Sequence, residues 1–348
     1  MKMKRIGVAV IMAVLIAVLL LYPIDSYISQ PGGAYDLAPL VEVDGQEEDI
    51  AGTFSLMTIS LSKATPLSYA FAKFSSERKL LPVESVRRQD EDEEEYNFRQ
   101  KRLMANSKYS AITVAFKKAE LPVNIELNGV VVMQVLKNSA SSTLLKTGDI
   151  IREIDGEHLT KSGEFASLLE EKSHGDQVHL LIERDGEEMT LDISLKEIPG
   201  GDGRVGLGVQ FEEDRTVTTN PEVTFHTSNI GGPSAGLMFT LEILNRLIET
   251  DITKGYQIAG TGEMLEDGTV GRIGGADFKV MAAAKDGIEI FFAPDDDIPD
   301  EVRVLNPGIQ SNYEEALQAA KRIKTKMKIV PVKTIDDALN YLRQLEEK

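Results

Sequence analysis

The chain of 348 residues has no cysteine, which removes disulfides, thiolate metal ligands and a cysteine nucleophile together. Histidine is scarce as well. His158, His174, His179 and His226 show neither an H-E-x-x-H pattern nor the close His/carboxylate spacing of a zinc site, so no metal and no other cofactor is expected. Positive charge is also short: 38 Lys and Arg face 56 Asp and Glu, a formal net charge of -18. Nucleic acid is therefore not an expected partner, because phosphate binding needs clustered cations to displace counterions. No fixed-period repeat appears, which excludes a solenoid. With 42% hydrophobic residues, the chain can bury real cores in two or three domains.

What is present begins with a long uncharged run. Lys2, Lys4 and Arg5 precede IGVAVIMAVLIAVLLLYPI, nineteen residues that at about 1.5 Å each roughly span a bilayer core. Basic residues before such a run favour a cytoplasmic N-terminus. A cleavable signal peptide would have a shorter apolar region followed by small residues, whereas Tyr22, Pro23, Ile24 and Asp25 follow here. Residues 1–26 are thus expected to be a transmembrane anchor, with everything after Asp25 outside the cytoplasm.

Beyond the anchor, residues 27–119 read as a connector, a strand over 52–61, a helix over 68–82 and a second helix opening on the acidic run Asp90 to Glu95. Residues 120–199 form a β-rich module. It contains GVVVMQVL, GDIIREIDG, a helix from Ser162 to Lys172, and two alternating runs joined by Asp185-Gly186, a strong hairpin signal. After the glycine-rich joint near Gly200, residues 200–348 mix strands and helices. The expected class is α+β.

The stretch GGPSAGLMFTLEIL places Ser234 in a G-x-S-x-G pattern between a strand and a helix running to about Glu249. The α/β-hydrolase order, serine before histidine, fails because every histidine precedes Ser234. His226 lies in an alternating strand and reads as a solvated or hydrogen-bonded residue. A lysine remains. Near pKa 10.4 an amine is neutral in fewer than about one molecule in a thousand at pH 7, so a base lysine must be buried or held at a helix N-terminus. GRIGGADFKVMAAAKDG supplies one: Gly274 and Gly275 turn, Asp277 can cap, and Lys279 falls in the first helical turn among Phe278, Val280, Ala282 and Ala283. Lys285, beside Asp286, reads as a surface lysine.

Two resemblances extend this reading. GVVVMQVLKNSASSTLLKTGDIIREIDGEHL resembles the bacterial PDZ pattern, which implies an extended peptide adding as a strand beside Gly129, Val130, Val131 and Val132. The preceding IELNG departs from the glycine-and-aromatic loop of carboxylate-binding PDZ domains. GGPSAG, the TGE at Thr261 to Glu263, and GRIGGADFKVMAAAKDGIEIFFAP resemble the proteolytic domain of Lon-type proteases. That resemblance implies Ser234 as nucleophile and Lys279 as general base, with Thr261, Gly232 and Pro233 in support. Gly231 stands where the Lon pattern has Asp, and the ATPase motif G-x-x-x-x-G-K-[ST] is missing. Anchor, PDZ and Lon-type domain in this order are similar to the YlbL-type family of membrane-anchored Lon-like proteases of Gram-positive bacteria. The family implies a Lon-type proteolytic domain with an inserted PDZ domain, preceded by one N-terminal transmembrane helix. It further implies an ATP-independent extracytoplasmic serine endopeptidase, single-pass in the cell membrane, acting on peptides or unfolded protein and open to homo-oligomer formation. Two rivals stand beside it: a non-catalytic membrane-tethered PDZ scaffold, and a Ser/Lys signal peptidase, whose site nothing after Tyr27 resembles.

Overall fold

The computed structural model describes residues 2–45, 51–227 and 230–348, with side chains from Arg5 onward. The side chains of Lys2 and Lys4, which entered the orientation argument, lie outside the described residues. The chain divides into two compact units, one of Met1–Gln89, Leu103–Glu120 and Val223–Lys348, the other of Asp90–Arg102 and Leu121–Glu222.

The first unit opens with helix α1 (Lys2–Leu21). Pro23 lacks an N–H and pushes the residue before it out of the helical region, so Tyr22, Pro23 and Ile24 fall outside α1. The uncharged part of the helix, Ile6 to Leu21, is sixteen residues or about 24 Å, short of the ~30 Å hydrocarbon core. Among the described residues no helix is long and apolar enough to cross a membrane, which corrects the expected spanning length. All the same, the apolar side chains of α1 are exposed, from Ile6 at 63% to Leu21 at 77%.

Strands β1 (Ser26–Asp36), β2 (Val41–Val43) and β3 (Thr53–Lys63) follow, then α2 (Pro66–Lys73) and β4 (Lys79–Pro82). Thr65 and Ser68 form a capping box at the start of α2, with Pro66 in the first turn. The single helix expected over 68–82 is instead a helix and a strand. Ser75 accepts a hydrogen bond from the Glu77 N–H, a local turn that competes with helix continuation, and Lys79–Pro82 pairs antiparallel with β1. Helix α3 (Glu93–Lys118) opens on the acidic run, where Asp92 and Glu95 cap each other's backbone N–H groups.

The second unit is built on β5 (Val123–Val135), β6 (Ile150–Ile154), β7 (Glu157–His158), α4 (Glu164–Glu170), β8 (Gln177–Arg184), β9 (Glu187–Ser194), the short pair β10 (Lys196–Glu197) and β11 (Val205–Gly206), and β12 (Val209–Thr219). Its sheet runs β12-β5-β6-β8-β9. Asp185 and Gly186 take φ of 54° and 82°, the left-handed pair that a two-residue hairpin between β8 and β9 requires. Alternating residues Val130, Val132, Ile151, Val178, Leu180, Ile182 and Ile193 form one buried face, covered by Phe165 and Leu169 of α4. The unit continues past Gly200 to Glu222 because β12 pairs with β5 over its whole length, from Val209 opposite Val135 to Thr219 opposite Val123.

The first unit resumes with β13 (Val223–Phe225), α5 (Gly236–Leu247), β14 (Gln257–Gly260), β15 (Glu263–Met264), β16 (Val270–Gly271), α6 (Ala276–Lys285), β17 (Ile290–Pro294), α7 (Asp300–Leu305), α8 (Asn312–Ile323), β18 (Lys328–Val332) and α9 (Ile335–Arg343). Its sheet has the order β18-β17-β14-β3-β1-β4, mixing parallel pairs from β3 to β18 with antiparallel ones beyond. Strand β3, from the N-terminal segment, pairs directly with β14 from the C-terminal one. Met57, Ala259 and Phe291 of the sheet pack against Val280 and Ala283 of α6 and Ala316 and Ala319 of α8. The fold is α+β.

Candidate active site

Ser234 lies in the turn just before α5. Two glycines shape that turn. Gly232 takes φ 85°, a conformation that L side chains rarely adopt, and a Cβ on Gly236 would stand 2.6 Å from the Met264 backbone nitrogen. The Ser234 carbonyl accepts from the Gly262 N–H at 3.0 Å and from the Thr261 hydroxyl at 3.1 Å, while the Leu237 N–H donates to the Gly262 carbonyl at 3.1 Å. The Pro233 carbonyl accepts from the Ser107 hydroxyl of α3 at 2.9 Å. The serine therefore rests in a turn braced from two sides, by the Thr261-Gly262 segment and by Ser107.

Its partner comes from α6, whose start is the left-handed Gly275 and not Asp277, which occupies the second helical position without a capping hydrogen bond. One turn into the helix, the Lys279 Nζ is 2.5 Å from Ser234 Oγ and 2.8 Å from Thr261 Oγ1. Lys279 is 2% exposed, between Phe278 and Val280, and among the described residues no carboxylate pairs with it. Burial without a counter-ion disfavours the ammonium, and the lysine's pKa falls from 10.5 to about 7. In the neutral state its lone pair can accept the Ser234 hydroxyl proton while an N–H points to Thr261. Thr261 spends its own hydroxyl proton on the Ser234 carbonyl, which leaves its oxygen free to accept from the amine.

Thr261 is thus placed to position the amine. The variant Thr261→Val is expected to lower kcat/KM by about 10-fold or more, within the range one positioning hydrogen bond contributes. It also moves the activity-limiting ionisation further below its wild-type pH, because the ammonium loses an acceptor. An unshifted pH profile would show that Thr261 only fills space.

The other sequence candidates are elsewhere. His226 is 56% exposed at its side chain, with Nε2 3.3 Å from Glu42 Oε2, as expected for a hydrogen-bonded strand histidine. Lys285 is a surface residue, 3.4 Å from Glu77. In the second unit, Gly129, Val130, Val131 and Val132 cannot accept an added strand. Strand β5 is already flanked by β12 and β6, and Val130, Val131 and Val132 pair with Glu213, Glu212 and Phe211 on one side while Val130 and Val131 pair with Ile151 and Ile150 on the other. The sheet edge is β12, preceded by the glycine-rich turn Val205-Gly206-Leu207-Gly208. The ring of Phe211 lies 4.4 Å from that of Phe165 on α4, and the two line a narrow crevice with Gly129 and Glu213.

Sequence reasoning missed two participants. Ser107 braces the Ser234 turn from 126 positions before Pro233, with no local motif to mark it. The glycine turn before β12 was visible but read as an interdomain joint, because nothing local reveals that β12 pairs outside β5.

Comparison with known proteins finds two families. Residues 110–195 match the PDZ domain family, and residues 210–344 match the Lon protease (S16) C-terminal proteolytic domain. A Lon protease of Mesomycoplasma hyopneumoniae is 32% identical over 165 residues, 44% of this chain and 17% of that protein. A probable periplasmic serine endoprotease, DegP-like, of Pseudomonas putida is 32% identical over 89 residues, 25% of this chain and 19% of its own length. The chain thus spans less than a fifth of the length of these relatives. The crystallised PDZ domain of an SdrC-like protein from Listeria monocytogenes is 32% identical, covering 24% of this chain and 87% of that one, with a TM-score of 0.23. The chain carries a PDZ domain and a Lon-type C-terminal proteolytic domain.

Proposed function

We propose that the chain is an ATP-independent serine endopeptidase in which Ser234 is the nucleophile and Lys279 the general base. The observation that carries this reading is a hydroxyl 2.5 Å from a buried amine that has no counter-ion among the described residues. Neutral Lys279 takes the proton as Ser234 Oγ attacks the scissile carbonyl carbon. The oxyanion that forms is stabilised by the backbone N–H groups at the Ser234 turn, where α5 begins and its dipole is positive. When the tetrahedral intermediate collapses, the C–N bond breaks and the Lys279 ammonium returns its proton to the leaving amine. Water, deprotonated by the same lysine, then attacks the acyl carbon, the bond from that carbon to Ser234 Oγ breaks, and the ammonium returns its proton to Oγ. A primary amine has one nitrogen and no tautomer to fix, so Thr261 has only to hold the direction of the amine.

Without an unfoldase, substrates are flexible segments and peptides. A peptide held along the β12 edge, against Phe165 and Phe211, accounts for a PDZ domain on the same chain. We further propose that α1 holds the chain in the cell membrane with the remainder outside the cytoplasm, a reading supported by its exposed apolar side chains. A short apolar helix of this kind is accommodated by local bilayer thinning and by snorkelling of flanking residues.

The test is incubation of the chain, without nucleotide, with a mixture of cell-surface peptides. New termini are expected with the wild type and not with Ser234→Ala. Identical peptide maps for the two proteins would support the non-catalytic tether instead.

A further inference from the structure

Helix α2 leaves an apolar stripe uncovered. Leu67 and Phe71 stand four positions apart on one face of α2 and Phe74 is its C-cap residue; they are 36%, 61% and 92% exposed. An almost fully exposed phenylalanine is a cost unless something covers it. The charge nearby reverses the sign of the whole chain. Between residues 63 and 79 stand Lys63, Lys73, Arg78 and Lys79 against Glu77 alone, in a protein of net charge -18. Glu77 is itself engaged by Lys285. Phe71, Phe74, Glu77, Arg78 and Lys285 border one open depression, so aromatic rings share a rim with two cations and one anion. Helix α2 also packs beside α1, whose apolar side chains are exposed.

We propose that this face of α2 docks on a lipid bilayer carrying anionic headgroups, with Phe71 and Phe74 in the acyl boundary and Arg78, on the same rim, at the phosphates. This inference rests on the membrane placement of α1 proposed above. Rings at that depth, with basic side chains around them, are the composition of an interfacial element, and each cation near an anionic surface adds attraction that salt screens. Such a contact would hold the α2 face of the proteolytic unit against the membrane surface.

The chain contains no tryptophan, so one introduced indole is an unambiguous reporter. The full chain is reconstituted into vesicles of phosphatidylglycerol and phosphatidylcholine with brominated acyl chains, as Phe74→Trp and, separately, as Tyr22→Trp. Both indoles are expected to be quenched at least twofold by the bromines. Quenching of Phe74→Trp alone should fall when phosphatidylglycerol is omitted or salt is raised. Quenching only in Tyr22→Trp overturns the docking and leaves the anchor. No quenching in either overturns both. A blue-shifted but unquenched indole in Phe74→Trp, with emission that depends on protein concentration, assigns the face to a second copy of the chain and equally overturns the proposal.

Discussion

Peptide cleavage by Lys279→Ala is expected to fall by at least about 10³-fold in kcat/KM, with the same loss in Ser234→Ala and no further loss in the double variant. Residues that act as one unit are grossly non-additive, and removal of a serine or of its base typically costs 10⁴-fold or more. Lys279→Arg distinguishes the proposed base from a mere positive charge. A guanidinium stays protonated at any working pH and so cannot take the Ser234 proton. It is therefore expected to be as inactive as Lys279→Ala. If the arginine variant kept a tenth of the wild-type activity, the side chain would be acting as an electrostatic clamp and the proton would be going elsewhere.

The second large effect is on stability. A lysine depressed from 10.5 to about 7 by burial must be charged against its surroundings whenever the folded protein is below pH 7. Between about 7 and 10.5 the unfolded chain holds a proton at this site that the folded chain does not. Raising the pH through that window withdraws protons preferentially from the unfolded state, and stability climbs by about 1.4 kcal/mol per pH unit from this group alone. Over the whole window the gain is on the order of 5 kcal/mol. Lys279→Met keeps the volume and removes the titration. Denaturant unfolding at pH 6, 8 and 10 should find the methionine variant the more stable at pH 6, with the gap narrowing steadily as pH rises. A constant gap across the three pH values would mean that the amine is hydrated in the folded state.

Much of this was legible in the residues. The three blocks around Ser234, Thr261 and Lys279 lie in sequence in the order the site uses them, and the demand for an apolar setting around a basic lysine singled out Lys279 over Lys285. A two-residue turn at Asp185-Gly186 and a capped acidic helix start near Glu93 are local features, set by a few neighbouring residues. What escaped was long-range. Whether β5 or β12 is the sheet edge depends on pairing between segments some ninety residues apart, which no periodicity encodes. Ser107 reaches the Ser234 turn only because the fold brings α3 there. The helix expected over 68–82 failed for a related reason: Lys79–Pro82 is held as a strand by β1, and that tertiary partner outweighs local propensity. The length of α1 was overestimated because the uncharged run was counted through Pro23, where a helix cannot continue.

The central claim is that one amine, neutral near pH 7, serves one hydroxyl. It is tested most directly by the pH dependence of kcat/KM for a short peptide without ionisable groups, which reports the essential ionisations of the free enzyme. The account predicts activity that rises tenfold per pH unit below a single ionisation at about 7 and then levels off. A rise that continues to pH 10, as for a lysine in water, would contradict it.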